Sequence, residues 1–562
     1  MKGETSELVR VLLARRGVTA EEDVAAFLTP DYERGLHDPF LLAGMERAVA
    51  RVLAAIAQGE RIAVYADYDC DGLPGAALMG DFFRKIGYEN VETYIPHRDR
   101  EGYGFHIEAI DALASRGVSV IITVDVGTVA FDAVAHAQGK GVDVIVTDHH
   151  DVIGGVPPAA HAVINPKIVP YPFPGLCGTG VAFKLVQALL IEGKLRDLPA
   201  FTGIPDGWEK WLLDLVAIAT VADMVPMIGE NRALVYWGLR VLRKSPRIGI
   251  RALCAQVRLR QEEITEDDIG FSIAPRINAA SRMDEPELAL RLLTTADMAE
   301  ADALALHLEE LNASRKGVVA GIVKSARKHV SARYGADDRV VFLGDTAWKP
   351  ALLGLAANSI MNDRGGVVCL WGRDARGRLK GSCRSDGAVN LADLFAQAGE
   401  VFEECGGHAA SGGFSVSPEK VHEVAEALAR AAAELGGEVR AEAGSAHDAL
   451  VSLREISWPL LADVSRLAPF GIGNQKPVFL ISRVRVSAVR SFGKEKNHIE
   501  LQLAADGMNH SLRAFDFFRT PESFSHVPIE GSSANILATI ERDAFRGPAR
   551  LALRLVDVLP SA

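Results

Sequence analysis

The stretch Ile62-Ala63-Val64-Tyr65-Ala66-Asp67-Tyr68-Asp69-Cys70-Asp71-Gly72 decides the fold. A short apolar run typical of a β-strand ends in three carboxylates at alternate positions, followed by a glycine. Like charges this close repel one another, and a cation that prefers oxygen ligands, such as Mg²⁺ or Mn²⁺, relieves the repulsion. Ligands of open α/β sheets bind beyond the carboxyl ends of the strands, so the position also suits a site. An acidic surface loop is the alternative for this stretch alone.

Three later apolar stretches end in the same kind of residue. Residues 120–124 lead into Asp125, residues 142–147 lead into Asp148-His149-His150, and residues 213–222 lead into Asp223. Four apolar elements that each deliver an aspartate or a histidine favour one shared site over an isolated surface loop. Strand and helix patterns alternate from residue 61 to about residue 290, which predicts a mostly parallel sheet covered by helices.

The chain carries four motifs in a recognisable order. They are Asp67-Tyr68-Asp69-Cys70-Asp71-Gly72, Val124-Asp125-Val126-Gly127, Asp148-His149-His150 and Val221-Ala222-Asp223-Met224-Val225-Pro226. They resemble the motifs of the DHH phosphoesterase superfamily, and RecJ-type single-strand exonucleases are the nearest match. The resemblance covers nearly the whole chain.

The number of ligands points to two ions. Five carboxylates and two imidazoles exceed the needs of one octahedral ion. Mixed carboxylate and imidazole ligands favour Mn²⁺ over Mg²⁺ or Ca²⁺, with Zn²⁺ as the rival. Two such ions would polarise a phosphate and activate water for in-line attack. The expected cofactor is therefore a pair of Mn²⁺ (or Mg²⁺) ions.

The resemblance implies a role for each side chain. Asp69 would hold the first ion with Asp67 at or beside it, and Asp125 would bridge the two ions. The second ion would lie on Asp71, His149 and Asp223. His150 would face the scissile phosphate, and Asp148 would orient an imidazole. The expected catalytic set is Asp69, Asp71, Asp125, His149, His150 and Asp223, and the metal ligands are the same residues with Asp67 in place of His150.

Candidate phosphate contacts lie on segments that resemble family motifs. A serine, an arginine and the backbone N–H groups of glycines suit phosphate oxygens. The candidates are Arg98, Arg276, Asn278, Ser382, Arg384, Gly407 and His408. An exposed loop remains the alternative for Arg98, and a turn remains the alternative for the Gly406-Gly407-His408 segment. The glycines of Leu176-Cys177-Gly178-Thr179-Gly180 fit either a phosphate nest or a tight helix start.

Three family positions differ in this chain. The segment Trp348-Lys349-Pro350-Ala351 stands where the family usually has Trp-His-x-Gly, so no role is transferred to Lys349 or Ala351. Ser281 stands where the family usually has glycine, which leaves Arg276 and Asn278 in place.

The pattern divides the chain into five parts. They are a helical lead-in at 1–58, a DHH catalytic domain at 59–295, a connecting helix at 296–334, a smaller α/β DHH-associated domain at 335–440, and a β-barrel of the oligonucleotide-binding type at 448–562. A linker is expected at residues 437–447. In the barrel, Phe492, Phe515, Phe517 and Phe518 are candidates for base stacking or for the core.

Charge and cysteine content narrow the class of protein. A net charge of −12 argues against a uniformly basic nucleic-acid coat but leaves room for local basic segments. Residues 231–261 hold eight Lys or Arg and no acid, which fits a basic track or a solvated face. The six cysteines are widely spaced, so free thiols and a cytoplasmic location are expected. We expect neither a membrane helix nor a secretory leader.

The expected function is metal-dependent hydrolysis of single-stranded DNA from the 5′ end, releasing mononucleotides in repair and recombination. Strand preference and polarity come from the resemblance. The alternatives are a DHH-family oligoribonuclease, cyclic-dinucleotide phosphodiesterase or pyrophosphatase, and a non-catalytic nucleic-acid-binding homologue. Single-stranded DNA is the expected partner. A helicase and a single-strand-binding protein are candidate partners, and a monomer is the family expectation.

Overall fold

The computed structural model describes residues 5–152, 155–168, 171–335, 337–436, 447–493, 496–505, 507–508, 510–543 and 549–561. None of the helices in these ranges has the length and apolar character needed to cross a bilayer. The chain forms two compact units. One comprises residues 1–36, 226–236 and 443–562, and the other comprises residues 37–225 and 237–442. The boundaries drawn from the sequence stay predictions.

Three short helices belong to the first unit: α1 (Glu7–Ala14), α2 (Glu21–Leu28) and α3 (Tyr32–Gly35). Ser6 caps α1 by accepting a hydrogen bond from the N–H of Val9. Leu12 and Leu13 are fully buried in the same apolar cluster as Phe479 and Ile481 of the C-terminal strands. The first helices therefore share a core with the end of the chain.

The second unit contains the predicted parallel sheet. Its strands are β1 (Arg61–Ala66), β2 (Val91–Tyr94), β3 (Val118–Val124), β4 (Asp143–Thr147) and β5 (Ala162–Ile164), in the order β2-β1-β3-β4-β5. All the pairs are parallel. Helices covering both faces explain why β1, β3 and β4 are nearly continuous apolar runs.

The helices that follow in this part of the chain are α4 (Met45–Gln58), α5 (Gly72–Lys85), α6 (Ile107–Ser115), α7 (Phe131–Gly139), α8 (Gly178–Leu195), α9 (Leu213–Ala222), α10 (Gly229–Leu242), α11 (Ile248–Gln256), α12 (Glu266–Asp268), α13 (Ala274–Met283) and α14 (Glu287–Thr294). The apolar stretch before Asp223 is the helix α9, and its buried positions run around its whole circumference. Asp223 is the residue at which this helix ends.

A 36-residue helix, α15 (Met298–Arg333), leads into a second sheet, as the sequence predicts. The sheet is formed by β6 (Val340–Gly344), β7 (Val367–Arg373), β8 (Leu379–Ser385), β9 (Glu404–Gly407) and β10 (Ser411–Val416), in the order β6-β7-β8-β10-β9. Only the β6–β7 pair is parallel. The accompanying helices are α16 (Pro350–Arg364), α17 (Leu391–Ala398) and α18 (Val424–Leu435).

The expectation of free thiols is wrong for two cysteines. Cys369 on β7 and Cys383 on β8 face each other in the strand register, with their Cα atoms 4.1 Å apart, and a disulfide joins them. A spacing of 14 residues does not reveal this pairing, because it depends on how the two strands align. Cys70, Cys177, Cys254 and Cys405 are free.

The C-terminal part of the chain is the predicted barrel. Its elements are β11 (Ala449–Leu450), α19 (Trp458–Ser465), β12 (Phe479–Phe492), β13 (His498–Ala504), β14 (Leu512–Asp516), β15 (Ser533–Asp543) and β16 (Arg550–Pro560). The sheet order is β11-β12-β13-β14-β16-β15, and pairing of β12 with β15 closes the barrel. The predicted linker falls almost wholly on residues 437–446, which lie outside the described residues.

Candidate active site

Three neighbouring strands deliver their aspartates to one edge of the parallel sheet. The N–H of Asp67 donates to the carbonyl of Val124 at 3.1 Å, and the N–H of Asp125 donates to the carbonyl of Thr147 at 2.9 Å. These bonds continue the sheet by one residue beyond β1 and β3. Asp125 has a φ of 62°, a left-handed conformation that costs free energy for a residue with a Cβ atom. The surrounding structure holds this carboxylate in a strained but fixed position.

The loop after β1 is turned by its own second aspartate. Asp69 Oδ1 accepts hydrogen bonds from the N–H groups of Asp71 at 2.8 Å and Gly72 at 3.2 Å. Asn278 Oδ1 accepts from the N–H of Cys70 at 3.0 Å. A Cβ atom at position 72 would lie 2.2 Å from the carbonyl oxygen of Asp67, so only glycine fits there. The loop thereby presents Asp67, Asp69 and Asp71 to the same space.

The N-terminus of α8 holds Asp71 in place. The N–H groups of Gly178 and Thr179 donate to its two carboxylate oxygens at 2.6 and 2.7 Å. The N-terminal end of a helix favours negative charge, so this arrangement stabilises the buried anion. The glycine-rich segment thus grips a carboxylate of the protein rather than a phosphate. No local pattern in the sequence reveals this role of Thr179.

His149 lies at the centre of the acidic cluster. Its Nε2 atom is 3.2 Å from Asp125 Oδ1, 3.6 Å from Asp223 Oδ2 and 3.7 Å from Asp71 Oδ2. Three sets of side chains bring ligand atoms within 4.8 Å of one another: Asp67, Asp69 and Asp125; Asp71, His149 and Asp223; and Asp125, His149 and His150. Asp125 and His149 each belong to two of these sets, so the three sets form one continuous cluster.

The chemistry of these donors suits divalent cations. Among the described residues, Asp67 Oδ1 and Asp125 Oδ1 are buried and have no hydrogen-bond partner. Burial and neighbouring carboxylates raise the pKa of Asp67 and of Asp125 well above the usual range. The same causes raise the pKa of Asp71 to about 6 and that of Asp223 to about 9. A bound cation would supply the positive charge that these oxygens lack.

The two histidines are in opposite electrostatic situations. Burial, assisted by the charge of His150, lowers the pKa of His149 to about 3 and keeps its ring neutral, as a metal ligand requires. Burial would also lower the pKa of His150, but the hydrogen bond to Asp148 and the charges of Asp148, Asp223 and Asp67 together outweigh it and raise the pKa to about 9. His150 Nδ1 lies 2.7 Å from Asp148 Oδ1.

Asp148 is the buried carboxylate that holds the His150 ring and the backbone of His149. It accepts hydrogen bonds from the N–H groups of Thr128 at 2.8 Å and His149 at 2.7 Å, in addition to the His150 ring. The Tyr103 hydroxyl lies 3.2 Å from His150 Nδ1. These contacts of Thr128 and Tyr103 depend on tertiary structure, so no local pattern in the sequence reveals them.

Three guanidinium groups face this site from two domains. Arg98 lies over the Tyr68 ring at 4.7 Å from its centroid. Burial and the nearby Arg98 lower the pKa of Arg384, and the same causes lower the pKa of Arg282 to about 9. Within the described part of the chain, none of the three forms an ion pair with a carboxylate. These three arginines are partly exposed, and guanidinium groups without a carboxylate partner suit the binding of phosphate groups.

The other predicted phosphate contacts differ in their hydrogen-bond partners and in their position relative to the site. Arg276 donates to Glu309 Oε2 at 2.7 Å and to the carbonyl of Ser272 at 2.9 Å. Ser382 lies on β8 opposite Gly413. Gly407 has a φ of 147° and ends β9. The His408 ring stacks on His150 with centroids 6.2 Å apart. Arg98, Arg384 and His408 therefore border the site, whereas Arg276 is bonded within the protein.

Family profiles match three parts of the chain. They are the DHH family, N-terminal domain at residues 61–220, the DHHA1 domain at residues 337–434 and the RecJ OB domain at residues 447–557. The chain is 34% identical to the single-stranded-DNA-specific exonuclease RecJ of Bacillus subtilis over 99% of this chain and 68% of that protein. It is 31% identical to RecJ of Haemophilus influenzae over 94% of this chain and 92% of that protein.

Solved structures agree with this relationship. The crystal structure of RecJ from Thermus thermophilus in complex with Mn²⁺ superposes with a TM-score of 0.80 at 28% identity, covering 99% of this chain and 76% of that one. Its complex with Mg²⁺ superposes with a TM-score of 0.75 at 27% identity, covering 99% and 75%. The likeness therefore extends across the catalytic, DHHA1 and barrel regions.

Proposed function

The chain belongs to the RecJ family of single-stranded-DNA-specific exonucleases, and we propose that it removes mononucleotides from the 5′ end of single-stranded DNA. One observation carries this proposal. At the sheet edge, buried oxygens of Asp67 and Asp125 have no hydrogen-bond partner, and nearby guanidinium groups form no ion pair with a carboxylate among the described residues. Metal ions fit the first group and substrate phosphates fit the second.

We assign the ligands as the sequence predicts. Asp67, Asp69 and Asp125 would hold one Mn²⁺ or Mg²⁺ ion, and Asp71, Asp125, His149 and Asp223 would hold the other. When bound, the ions polarise the scissile phosphate and activate water for in-line attack. The neutral ring of His149 is available as a ligand, and protonated His150 can donate a hydrogen bond to a phosphate oxygen or to the leaving oxygen.

The substrate backbone would lie between the parallel-sheet domain and the DHHA1 domain. Arg98 and Arg384 are the strongest candidates for phosphate contacts, because neither is neutralised by a carboxylate in the described residues. Ser382, Gly407 and His408 offer a hydroxyl, a backbone N–H group and an imidazole in the DHHA1 domain. We retain Arg276 and Asn278 as supports of this surface, since Asn278 holds the loop of Cys70.

The barrel separates this proposal from its rivals. A smaller DHH oligoribonuclease or cyclic-dinucleotide phosphodiesterase has no need of an oligonucleotide-binding barrel, whereas this chain matches the RecJ OB domain. A non-catalytic homologue is disfavoured because every expected ligand position is filled, and each expected metal ligand belongs to a set whose ligand atoms lie within 4.8 Å of one another.

We further propose a role in DNA repair and recombination in the cytoplasm, where single-stranded intermediates of the chromosome form in bacteria. The enzyme would act as a monomer, and a helicase and a single-strand-binding protein would supply and present its substrate. Sedimentation of the protein with and without such proteins tests the monomeric state and the two proposed complexes.

A long single-stranded DNA labelled at its 5′ end tests the activity and its direction. We expect immediate release of labelled mononucleotide with Mn²⁺, and loss of that release with EDTA or in the Asp125→Ala variant. Shortening that leaves the label on long fragments would reverse the polarity. Binding without any cleavage would favour the non-catalytic alternative, and cleavage restricted to very short oligonucleotides would favour the oligoribonuclease.

A further inference from the structure

The two positions at which this chain departs from the family's Trp-His-x-Gly pattern both contact the catalytic domain. Lys349, which precedes α16, places its Nζ atom 2.9 Å from Asp99 Oδ2. The carbonyl oxygen of Ala351, in the first turn of α16, accepts a hydrogen bond from Arg282 Nη1 at 2.7 Å. The start of α16 in the DHHA1 domain is therefore fastened to a loop and a helix of the parallel-sheet domain.

The loop that Lys349 contacts is compactly ordered. Glu101 accepts hydrogen bonds from the N–H of His97 and the hydroxyl of Tyr94, both at 2.6 Å. His97 Nδ1 accepts from the N–H groups of Asp99 at 3.1 Å and Arg100 at 3.2 Å. Because these hydrogen bonds link residues 97–101, a shift of Asp99 should displace the whole turn.

This turn carries Arg98, which lies next to the metal-facing residues. Its guanidinium group lies over Tyr68, the buried residue between Asp67 and Asp69. Arg98 thus connects the loop held by Lys349 with the loop that presents the carboxylates. A displacement of the turn would move this guanidinium along the face of the Tyr68 ring.

Like charges oppose the approach of the two domains. Burial and the charge of Arg98 on the parallel-sheet domain lower the pKa of Arg384 on the DHHA1 domain, so the two guanidinium groups are close enough to repel each other. Without a bound phosphate, this repulsion pushes the DHHA1 domain away from the turn of residues 97–101. The pair of Lys349 and Asp99, whose side chains are 34% and 28% exposed, supplies an attraction at the edge of the same cleft.

We infer that Lys349 is a positioning residue: through Asp99 it holds the Arg98 turn in the geometry that receives a substrate phosphate. This inference rests on the proposed function, because the phosphate is that of the single-stranded DNA substrate. Lys349 itself touches neither the metal ligands nor the predicted phosphate contacts. Its effect should therefore appear in substrate binding and not in the chemical step.

Steady-state kinetics on a 5′-phosphorylated oligothymidylate with saturating Mn²⁺ test the inference. A partly exposed ion pair contributes modestly, so Lys349→Ala should raise KM about two- to fivefold and leave kcat nearly unchanged. Lys349→Arg, and the exchange of both charges in Lys349→Asp with Asp99→Lys, should restore most of the lost affinity. Arg327→Ala is the matched control, since it removes the Arg327–Asp363 pair on α15 and α16 and should leave KM unchanged.

Hydrogen–deuterium exchange of the DNA-free protein gives a readout that does not depend on activity. Lys349→Ala should speed exchange at residues 97–101, and the charge exchange should slow it again. A normal KM in Lys349→Ala, a charge exchange no better than either single variant, or a loss of kcat with normal KM would overturn the inference. Failure of the wild type to release labelled nucleotide would contradict the proposed function instead, and the exchange data would still decide whether Lys349 holds the turn.

Discussion

Gly178 lies so close to Asp125 that a Cβ atom at position 178 would stand 2.5 Å from the Asp125 Cβ atom and 2.7 Å from its Oδ1 atom. The backbone N–H of the same glycine donates to Asp71. One residue therefore fixes two carboxylates from two different loops, and it does so only because it has no side chain.

Gly178→Ala should inactivate the enzyme without unfolding it. The added methyl group must displace Asp125, and a displacement of about 1 Å at a reacting centre can lower the rate about a hundredfold. Gly180→Ala is the control, because its nearest neighbours would lie 3.6 Å away in ordinary contact. Nuclease rates and thermal unfolding of both variants check this prediction. Equal activity of the two variants would show that the Asp125 position is not critical.

Mn²⁺ should stabilise the protein more strongly as the pH rises. Aspartates of an unfolded chain titrate near pH ~4. In the metal-free fold the pKa of Asp71 is raised to about 6 and that of Asp223 to about 9. Because the folded state binds these protons more tightly, protonation of the two carboxyl groups adds to the free energy of unfolding. This contribution is complete below about pH 4 and is lost as the pH rises through about 6 and about 9. Bound Mn²⁺ accepts the carboxylates as anions and offsets that loss.

Thermal unfolding in Mn²⁺ and in EDTA measures this effect. The difference in Tm should widen from about pH 6 toward about pH 9, following the two pKa values. Asp223→Asn should reduce both the difference and its pH dependence. A difference that is constant or shrinks with rising pH would contradict the assignment of these carboxylates as metal ligands.

Asp148→Asn should move the alkaline limb of the pH–rate profile to lower pH. The carboxylate sustains the raised pKa of His150, about 9, so its neutral replacement should return that pKa toward its ordinary value. A smaller fraction of the His150 rings is then protonated at neutral pH. Loss of the carboxylate that orients the His150 ring should lower the rate about 10- to 100-fold. The exposed neighbour Asp151, changed to Asn, serves as control and should keep the wild-type limb.

The parallel sheet and the positions of its aspartates could be predicted because each rests on a local pattern. A strand buried on both faces is a continuous apolar run, and the residue that follows it lies at the edge where ligands bind. Asp67, Asp125 and Asp148 were found in this way. The same pattern does not distinguish strand from helix, so the stretch before Asp223 could only be described as apolar.

Contacts between distant segments could not be predicted. Asp71 and Thr179 are 108 residues apart, and no repeat or spacing reveals that a helix N-terminus binds this carboxylate. Lys349 could be recognised as a departure from a pattern, but its partner Asp99 follows only from the way the two domains pack. The Cys369–Cys383 disulfide is another consequence of register rather than of sequence spacing.

The barrel phenylalanines differ in exposure. Phe515 is buried, whereas Phe518 is 81% exposed. Phe518 has a φ of 56°, and its N–H donates to His498 Nδ1 at 2.9 Å. Its ring meets His498 edge-on with centroids 4.8 Å apart. An exposed bulky residue in a strained conformation, held in one orientation, is typical of a binding contact.

Phe518→Ala should weaken binding of single-stranded DNA without changing stability. Stacking of a base on an aromatic ring contributes about 1–3 kcal/mol, so the Kd should rise about five- to a hundredfold. Phe479→Ala should instead lower the free energy of unfolding by about 3–5 kcal/mol, because Phe479 is fully buried in the apolar core of the barrel and its loss leaves a cavity. Fluorescence anisotropy with a long oligothymidylate in EDTA measures binding without cleavage, and denaturant unfolding measures stability. If Phe518→Ala binds single-stranded DNA with wild-type affinity, Phe518 does not stack on a base.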